Sequence, residues 1–198
     1  MAVTSNIKRK KKSWVPMHAP KMLNDALLGE TLVSDKKDVI GKVLTLNYSI
    51  FTKDMKKQNL DVLFKVISIV DDKAQTRIHG LSLTNSYVKR LVRRGKSKIE
   101  DSFTVKTNDG LNIRIKPLVI TNNTVNSSLA TKIRLLVKER LEKFVSSNGL
   151  DDLFETLLKQ KIQKELKDEL SKLYPLRYVD IRVAKVLSKQ DQSTTKEE

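Results

Sequence analysis

The chain has 198 residues, 39 Lys and Arg against 23 Asp and Glu, a formal net charge of +16 and no cysteine. That length can bury a core as one large domain or two small ones, while the lack of cysteine removes disulfides, thiolate metal sites and cysteine nucleophiles together. Two histidines, His18 and His79, leave little from which to build a zinc site, and so large a positive excess calls for a polyanion, nucleic acid before an acidic membrane.

The chain opens on a basic run, Lys8, Arg9, Lys10, Lys11 and Lys12, and no acid appears until Asp25. Nothing apolar follows the run, so no secretory signal is expected, and no later apolar run is long enough to span a membrane. The expectation is a cytoplasmic protein. Residues 1–24 lack periodicity and contain Pro16 and Pro20. They read as a basic extended arm that needs a partner to order it. Trp14 in this arm suits a core position and a base-stacking position equally.

Val39–Phe51 reads as a strand, followed by a basic loop carrying Lys53, Lys56 and Lys57. Val62–Val70 reads as a second strand, apolar on both faces and therefore central. Asp71, Asp72 and Lys73 form a turn into a third strand, Gln75–His79, which Gly80 closes. A short helix follows, capped by Thr84 or Asn85 and ended by Gly95. At 100° per residue Val88, Leu91 and Val92 fall on one side, and Lys89, Arg90, Arg93 and Arg94 on the other. Lys96 and Lys98 extend the basic run with no intervening acid. Like charges at i,i+4 repel by a few tenths of a kcal/mol per pair, so such a side is best explained by an anion that neutralises it.

Phe103–Thr107 and Leu111–Ile120 flank Asn108, Asp109 and Gly110, a strong hairpin signal. In its second arm Leu111, Ile113 and Ile115 alternate with Asn112, Arg114 and Lys116, giving one core face and one polar, basic face. Ser128–Phe144 carries Leu129, Ile133, Leu136, Val137 and Leu141 at helical spacing, with Lys132 and Arg134 near its start. Gly149 breaks the pattern. A further helix begins at Asp151 or Asp152 and its apolar stripe runs to Tyr174, where Pro175 stops it. Val179, Ile181 and Val183 then alternate with Tyr178, Asp180 and Arg182 in a last strand. The fold class expected is α+β: a mainly antiparallel, β-barrel-like sheet with packed helices, long C-terminal helices and a final returning strand. The domain division expected is an arm over 1–24, a single α+β domain over 25–187 and a polar flexible tail over 188–198.

Catalytic signals are scarce. The six glycines are too far apart for a dinucleotide or phosphate-loop motif, and no cofactor is expected. Asp35, Asp54, Asp71 and Glu165 each begin an acid-x-Lys tripeptide of the kind found in metal-dependent nucleases. Four competing matches in a Lys-rich chain single out none of them. The charge is also uneven. Residues 1–120 hold 24 basic and 11 acidic residues, residues 121–198 hold 15 and 12. A nucleic-acid-binding protein is therefore favoured over an enzyme, and a free-standing binder or a metal-dependent nuclease remain the competing readings. No metal site is expected.

The order of motifs resembles the small-ribosomal-subunit protein family shared by archaea and eukaryotes, called S-three-A in its eukaryotic form. The likeness is carried by Lys11, Lys12, Ser13 and Trp14 with Ala19 and Pro20, then Thr31 to Val33, then Gly41 to Val43. It continues through Ile78, His79, Gly80 and Leu81 into Leu83 and Thr84, then Val105 to Gly110, Ile133 with Arg134, and Leu173 to Leu176. It spans about residues 10 to 187, and the short termini look archaeal. The resemblance implies a structural, non-enzymatic rRNA-binding protein of the small subunit platform. It implies small-subunit rRNA and neighbouring ribosomal proteins as partners, mRNA close by at its exit, and neither a membrane nor a homo-oligomer. The residues expected on RNA are Lys8, Arg9, Lys10, Lys11, Lys12 and Trp14 in the arm and Lys53, Lys56 and Lys57 in the loop. Lys89, Arg90, Arg93, Arg94, Lys96 and Lys98 follow, then Arg114, Lys116, Lys132 and Arg134.

Overall fold

The computed structural model describes residues 12–23 and 25–187; the expected contacts of Lys8, Arg9, Lys10 and Lys11 lie outside them. The described residues fall into two units. The first holds the residues up to Leu44 together with Phe64–Arg77, and the second holds Thr45–Leu63 and the residues from Ile78 onward. Both contain strands that form open, mainly antiparallel sheets. The α-helices belong to the second, so the chain is α+β.

In the first unit β1 (Ser13–His18) pairs antiparallel with β2 (Leu27–Val33), so this part of the segment read as an arm is a sheet strand. Val15 and Met17 point inward while Trp14 is 64% exposed opposite Leu32. The far end of β1 runs parallel to β5 (Lys73–Leu83) at Ala74 and Gln75, and the Thr76 hydroxyl donates to the His18 carbonyl at 2.7 Å. β4 (Leu60–Val70) and β5 contribute residues to both units. Two residues, Asp71 and Asp72, connect these strands, both with positive φ (49° and 63°). A turn of that hand matches the twist of the flanking strands. β4 differs from the two-faced apolar strand expected. Val62, Phe64 and Val66 are buried, whereas Ile67 and Val70 are exposed.

In the second unit β9 (Leu176–Val186) lies between β5 and β8 (Asn112–Thr121), and β8 also pairs with β6 (Lys98–Glu100) and β7 (Phe103–Lys106). β5 runs on to Leu83, so Gly80 lies inside the strand. A Cβ there would stand 2.8 Å from the Ala184 carbonyl oxygen, so glycine permits the close pairing of β5 with β9. The stretch read as one strand over 39–51 holds only β3 (Val43–Asn47), followed by one helical turn, α1 (Ser49–Thr52).

Helix α3 (Ser127–Ser147) buries Ile133, Val137, Leu141 and Val145, but Leu136 is exposed. The continuous helix expected to Tyr174 is two helices, α4 (Leu150–Leu158) and α5 (Lys161–Ser171). Gln160 takes a left-handed conformation between them. The Gln163 side-chain amide donates to the Leu157 carbonyl at 3.2 Å, which also accepts from the Gln160 N–H at 3.0 Å, so the break leaves this acceptor satisfied. Asp109, in the turn between β7 and β8, accepts from the Leu150 N–H at 2.7 Å and caps α4. Asp151 and Asp152 sit in the first turn of α4, where the helix dipole favours them.

Candidate nucleic-acid interface

Helix α2 (Asn85–Leu91) is shorter than the sequence pattern suggests. Thr84 is its N-cap residue without a side-chain capping bond, and Val92 ends it three residues before Gly95. Val88 and Leu91 pack on Leu83, Leu118 and Ile120, with Tyr87 and Tyr178 completing the cluster. The two tyrosine hydroxyls bond to each other, and burial together with that bond pushes the Tyr87 hydroxyl well above its usual range. Lys89 and Arg90 therefore leave the helix on its exposed side, while Arg93 and Arg94 belong to the turn that Gly95 (φ 77°) closes.

The anchoring of these cations differs. Arg90 donates to Asn59 Oδ1 at 3.0 Å and lies 5.8 Å from the Tyr87 ring centroid. Lys98 pairs with Glu100 at 2.7 Å. Lys89, Arg93, Arg94 and Lys96 have no acidic partner among the described residues. Partial desolvation, then Arg177 and Arg93, hold the Lys96 amine below the ordinary lysine range. Arg177, at the start of β9, thus joins Arg93 and Lys96 in a cluster of like charge. Sequence reading missed it because it lies 81 positions from Lys96 and meets it only through the sheet.

The second surface is the sheet face beside α2. Alternation along β8 places Arg114, Lys116, Leu118 and Ile120 on one side. Leu118 and Ile120 lie under α2, which leaves Arg114 and Lys116 on the uncovered part. Arg114 stands opposite Lys185 and Thr104, Lys116 opposite Val183, and Val183 opposite Ser82. The register of β9 against β8 shifts between Lys116 and Pro117, so Arg182 is an extra residue on β9. The Arg182 guanidinium donates to Glu100 at 3.1 Å and to Asn85 at 3.4 Å. Lys185 and Arg182 were also missed. Their signal was the polar alternation of the last strand, but the bulge shifts its phase. Asp180, expected on the polar side, is buried, and burial pushes its carboxyl up to about 6.

The remaining expected cations are dispersed. Lys53 is exposed in a left-handed position that closes α1. Lys57 Nζ lies 5.1 Å from the centroid of the buried Tyr48 ring. Lys56 is in the short helical turn Met55–Lys57. Lys132 and Arg134 are exposed near the start of α3, and Lys12 is exposed just before Trp14. Among the described residues no group of three or more His, Asp or Glu side chains could hold a metal ion, and no helix is long and apolar enough to cross a membrane.

Known proteins are similar to this chain over nearly the whole of its length. The Ribosomal S3Ae family matches residues 5–190. Proteins named small ribosomal subunit protein eS1 are similar to this chain. That of Desulfurococcus amylolyticus is 33% identical over 180 residues, covering 91% of this chain and 84% of its own length. That of Nanoarchaeum equitans is 30% identical over 173 residues, 87% of both chains. That of Saccharolobus islandicus is 32% identical over 180 residues, 91% of this chain and 86% of its own. With a match that takes in the α2 cations, the basic hairpin and the last strand together, the chain belongs to the Ribosomal S3Ae family.

Proposed function

We propose that this protein is a structural, non-catalytic constituent of the small ribosomal subunit in the cytoplasm, where it binds rRNA and neighbouring ribosomal proteins. The observation that carries the reading is the α2 cluster. Among the described residues no acid pairs with Lys89, Arg93, Arg94 or Lys96 of this S3Ae chain, and the charged neighbours of Lys96 are Arg177 and Arg93, so the cluster lacks a negative charge. RNA phosphates supply that charge. The arm cations Lys8 to Lys12, Trp14, Lys53, Lys56, Lys57, Arg90, Lys98, Arg114, Lys116, Lys132 and Arg134 add contacts along the same backbone. On this reading the contact lies on the subunit platform near the mRNA exit, as the resemblance implies.

Two measurements test this. In a sucrose gradient of cell extract the protein travels with small subunits; sedimentation at the top of the gradient would overturn the ribosomal assignment. Affinity for rRNA fragments drops on the order of 10³–10⁵-fold from about 50 to about 200 mM salt if six to ten phosphates are neutralised. A flat response would remove the electrostatic account.

A further inference from the structure

A groove of about 370 Å³ opens beside the start of α2, lined by Asp61, Ser82, Asn85, Lys116 and Arg182 among others. All of these belong to the second unit. Each charged member has a defined status. Arg182 is held on two sides by Glu100 and Asn85, so its fork is preorganised. Lys116 has no acidic partner among the described residues and is free to swing. Asp61 Oδ1 accepts from the Asn47 side-chain amide at 3.0 Å. Asn47 is itself fixed, donating to the Gln58 carbonyl at 2.6 Å and accepting from the Ser49 N–H at 3.1 Å. A carboxylate has about four lone-pair sites, so Asp61 keeps acceptor capacity facing the groove.

Two cations and one oriented carboxylate around a polar groove do not suit a bare phosphate, because Asp61 would repel it. They suit a group that is anionic at one end and a hydroxyl donor at the other. We propose that the groove seats a single ribonucleotide of the bound RNA, its phosphate on Lys116 and Arg182 and its ribose 2′-hydroxyl donating to Asp61. The inference rests on the RNA-binding reading above. It adds to that reading a single-nucleotide site that distinguishes RNA from DNA through the ribose 2′-hydroxyl, which DNA lacks. Asp61 carries the distinction, and Ser82 and Asn85 supply short polar walls between it and the cations.

The test compares the full-length protein with Lys116→Met, Asp61→Asn and Lys172→Ala variants. Each is titrated against a single-stranded RNA fragment and the DNA of the same sequence over a salt series. Circular dichroism checks that each variant is folded. Lys116→Met is expected to lower RNA affinity about 3–10-fold and to reduce the salt slope by about one. Asp61→Asn is expected to lower RNA affinity several-fold and leave DNA affinity unchanged, so that the RNA preference shrinks. Lys172→Ala is expected to change neither. If Asp61→Asn tightens RNA and DNA alike, Asp61 only repels phosphate and the seat is wrong. If Lys116→Met leaves the slope unchanged while the unaltered protein binds RNA normally, the seat fails and the RNA-binding reading stands. Absence of any RNA binding by the unaltered protein overturns both.

Discussion

The α2 region and the C-terminal helices carry the same kinds of charged residue and use them in opposite ways. On and beside α3, α4 and α5 four cations meet acids of the same chain. Lys143 pairs with Glu139 at 2.6 Å, Arg140 with Glu169 at 2.9 Å, Lys138 with Glu142 at 3.9 Å, and Lys159 with Glu155. In the loop from Val92 to Ser97 the cations meet other cations. The first arrangement is internally closed and solvates a helical surface. The second leaves like charges facing one another. A net charge of +16 conceals this difference; the pairing pattern reveals it.

The largest effect should come from reversing the unpaired set. Replacing Arg93, Arg94 and Lys96 by Glu is expected to weaken rRNA-fragment binding on the order of 100-fold or more at about 0.1 M salt, and to cut the salt slope by about two to three. Replacing Lys138, Lys143 and Lys159 by Ala should change affinity no more than about two-fold, because those charges are already neutralised. Equal losses from the two triples, read by filter binding or fluorescence anisotropy, would erase the distinction.

Asp180 represents a third condition, a carboxyl that is buried and has no cation at hand. Its neighbours are the Ile181 N–H, which donates to it at 2.8 Å, and Gln163, both opposing the upward shift, and the Tyr87 hydroxyl. Gln163 Oε1 is buried without a hydrogen-bond partner. The folded carboxyl titrates at about 6, against 3.8 for a free aspartate. Between those values the folded protein keeps a proton that the unfolded chain has released. Stability is therefore fully present below about pH 4, falls as pH rises to about 6, and is flat beyond. At 1.36 kcal/mol per unit the loss is at most about 3 kcal/mol. Asp180→Asn removes the titration and is expected to raise the thermal midpoint at about pH 7.5, with little change at about pH 4. Parallel pH–stability curves for variant and parent would show that burial does not control this group.

What the sequence disclosed depended on how local the cause was. The hairpin between β7 and β8 was legible because Asn108, Asp109 and Gly110 sit between two alternating runs. The apolar stripe of α3 was legible because Ile133, Val137 and Leu141, three of its four buried residues, recur at one spacing. The end of α2 was not, since Gly95 is a good stop signal and nothing local says that the chain leaves the helix at Val92. The break at Gln160 was hidden for the reverse reason: the apolar stripe continues across it, and only a left-handed backbone reveals the turn. Of the candidate site, Lys89 to Lys98 could be read directly as one uncompensated run. Arg177, Arg182 and Lys185 could not, because β9 brings them there by pairing with β5 and β8, and the bulge at Arg182 moves Val183 and Lys185 to the side of Arg114 and Lys116.

The smallest effect belongs to the closed region and tests it from the opposite direction. Arg140 and Glu169 join α3 to α5 through a bond of 2.9 Å, but both side chains are about half exposed, 56% and 43%. Water screens the pair, and ordering two long side chains offsets much of the attraction. Glu169→Gln should therefore lower stability by less than about 1 kcal/mol, and the difference should disappear at about 1 M salt, where the screening length is near 3 Å. RNA affinity should not move. If the substitution instead strengthens RNA binding and steepens its salt dependence, Arg140 has been released onto a phosphate. The C-terminal helices would then be a second RNA face held neutral by their own acids, and pairing within the chain would mark a latent contact rather than a closed surface.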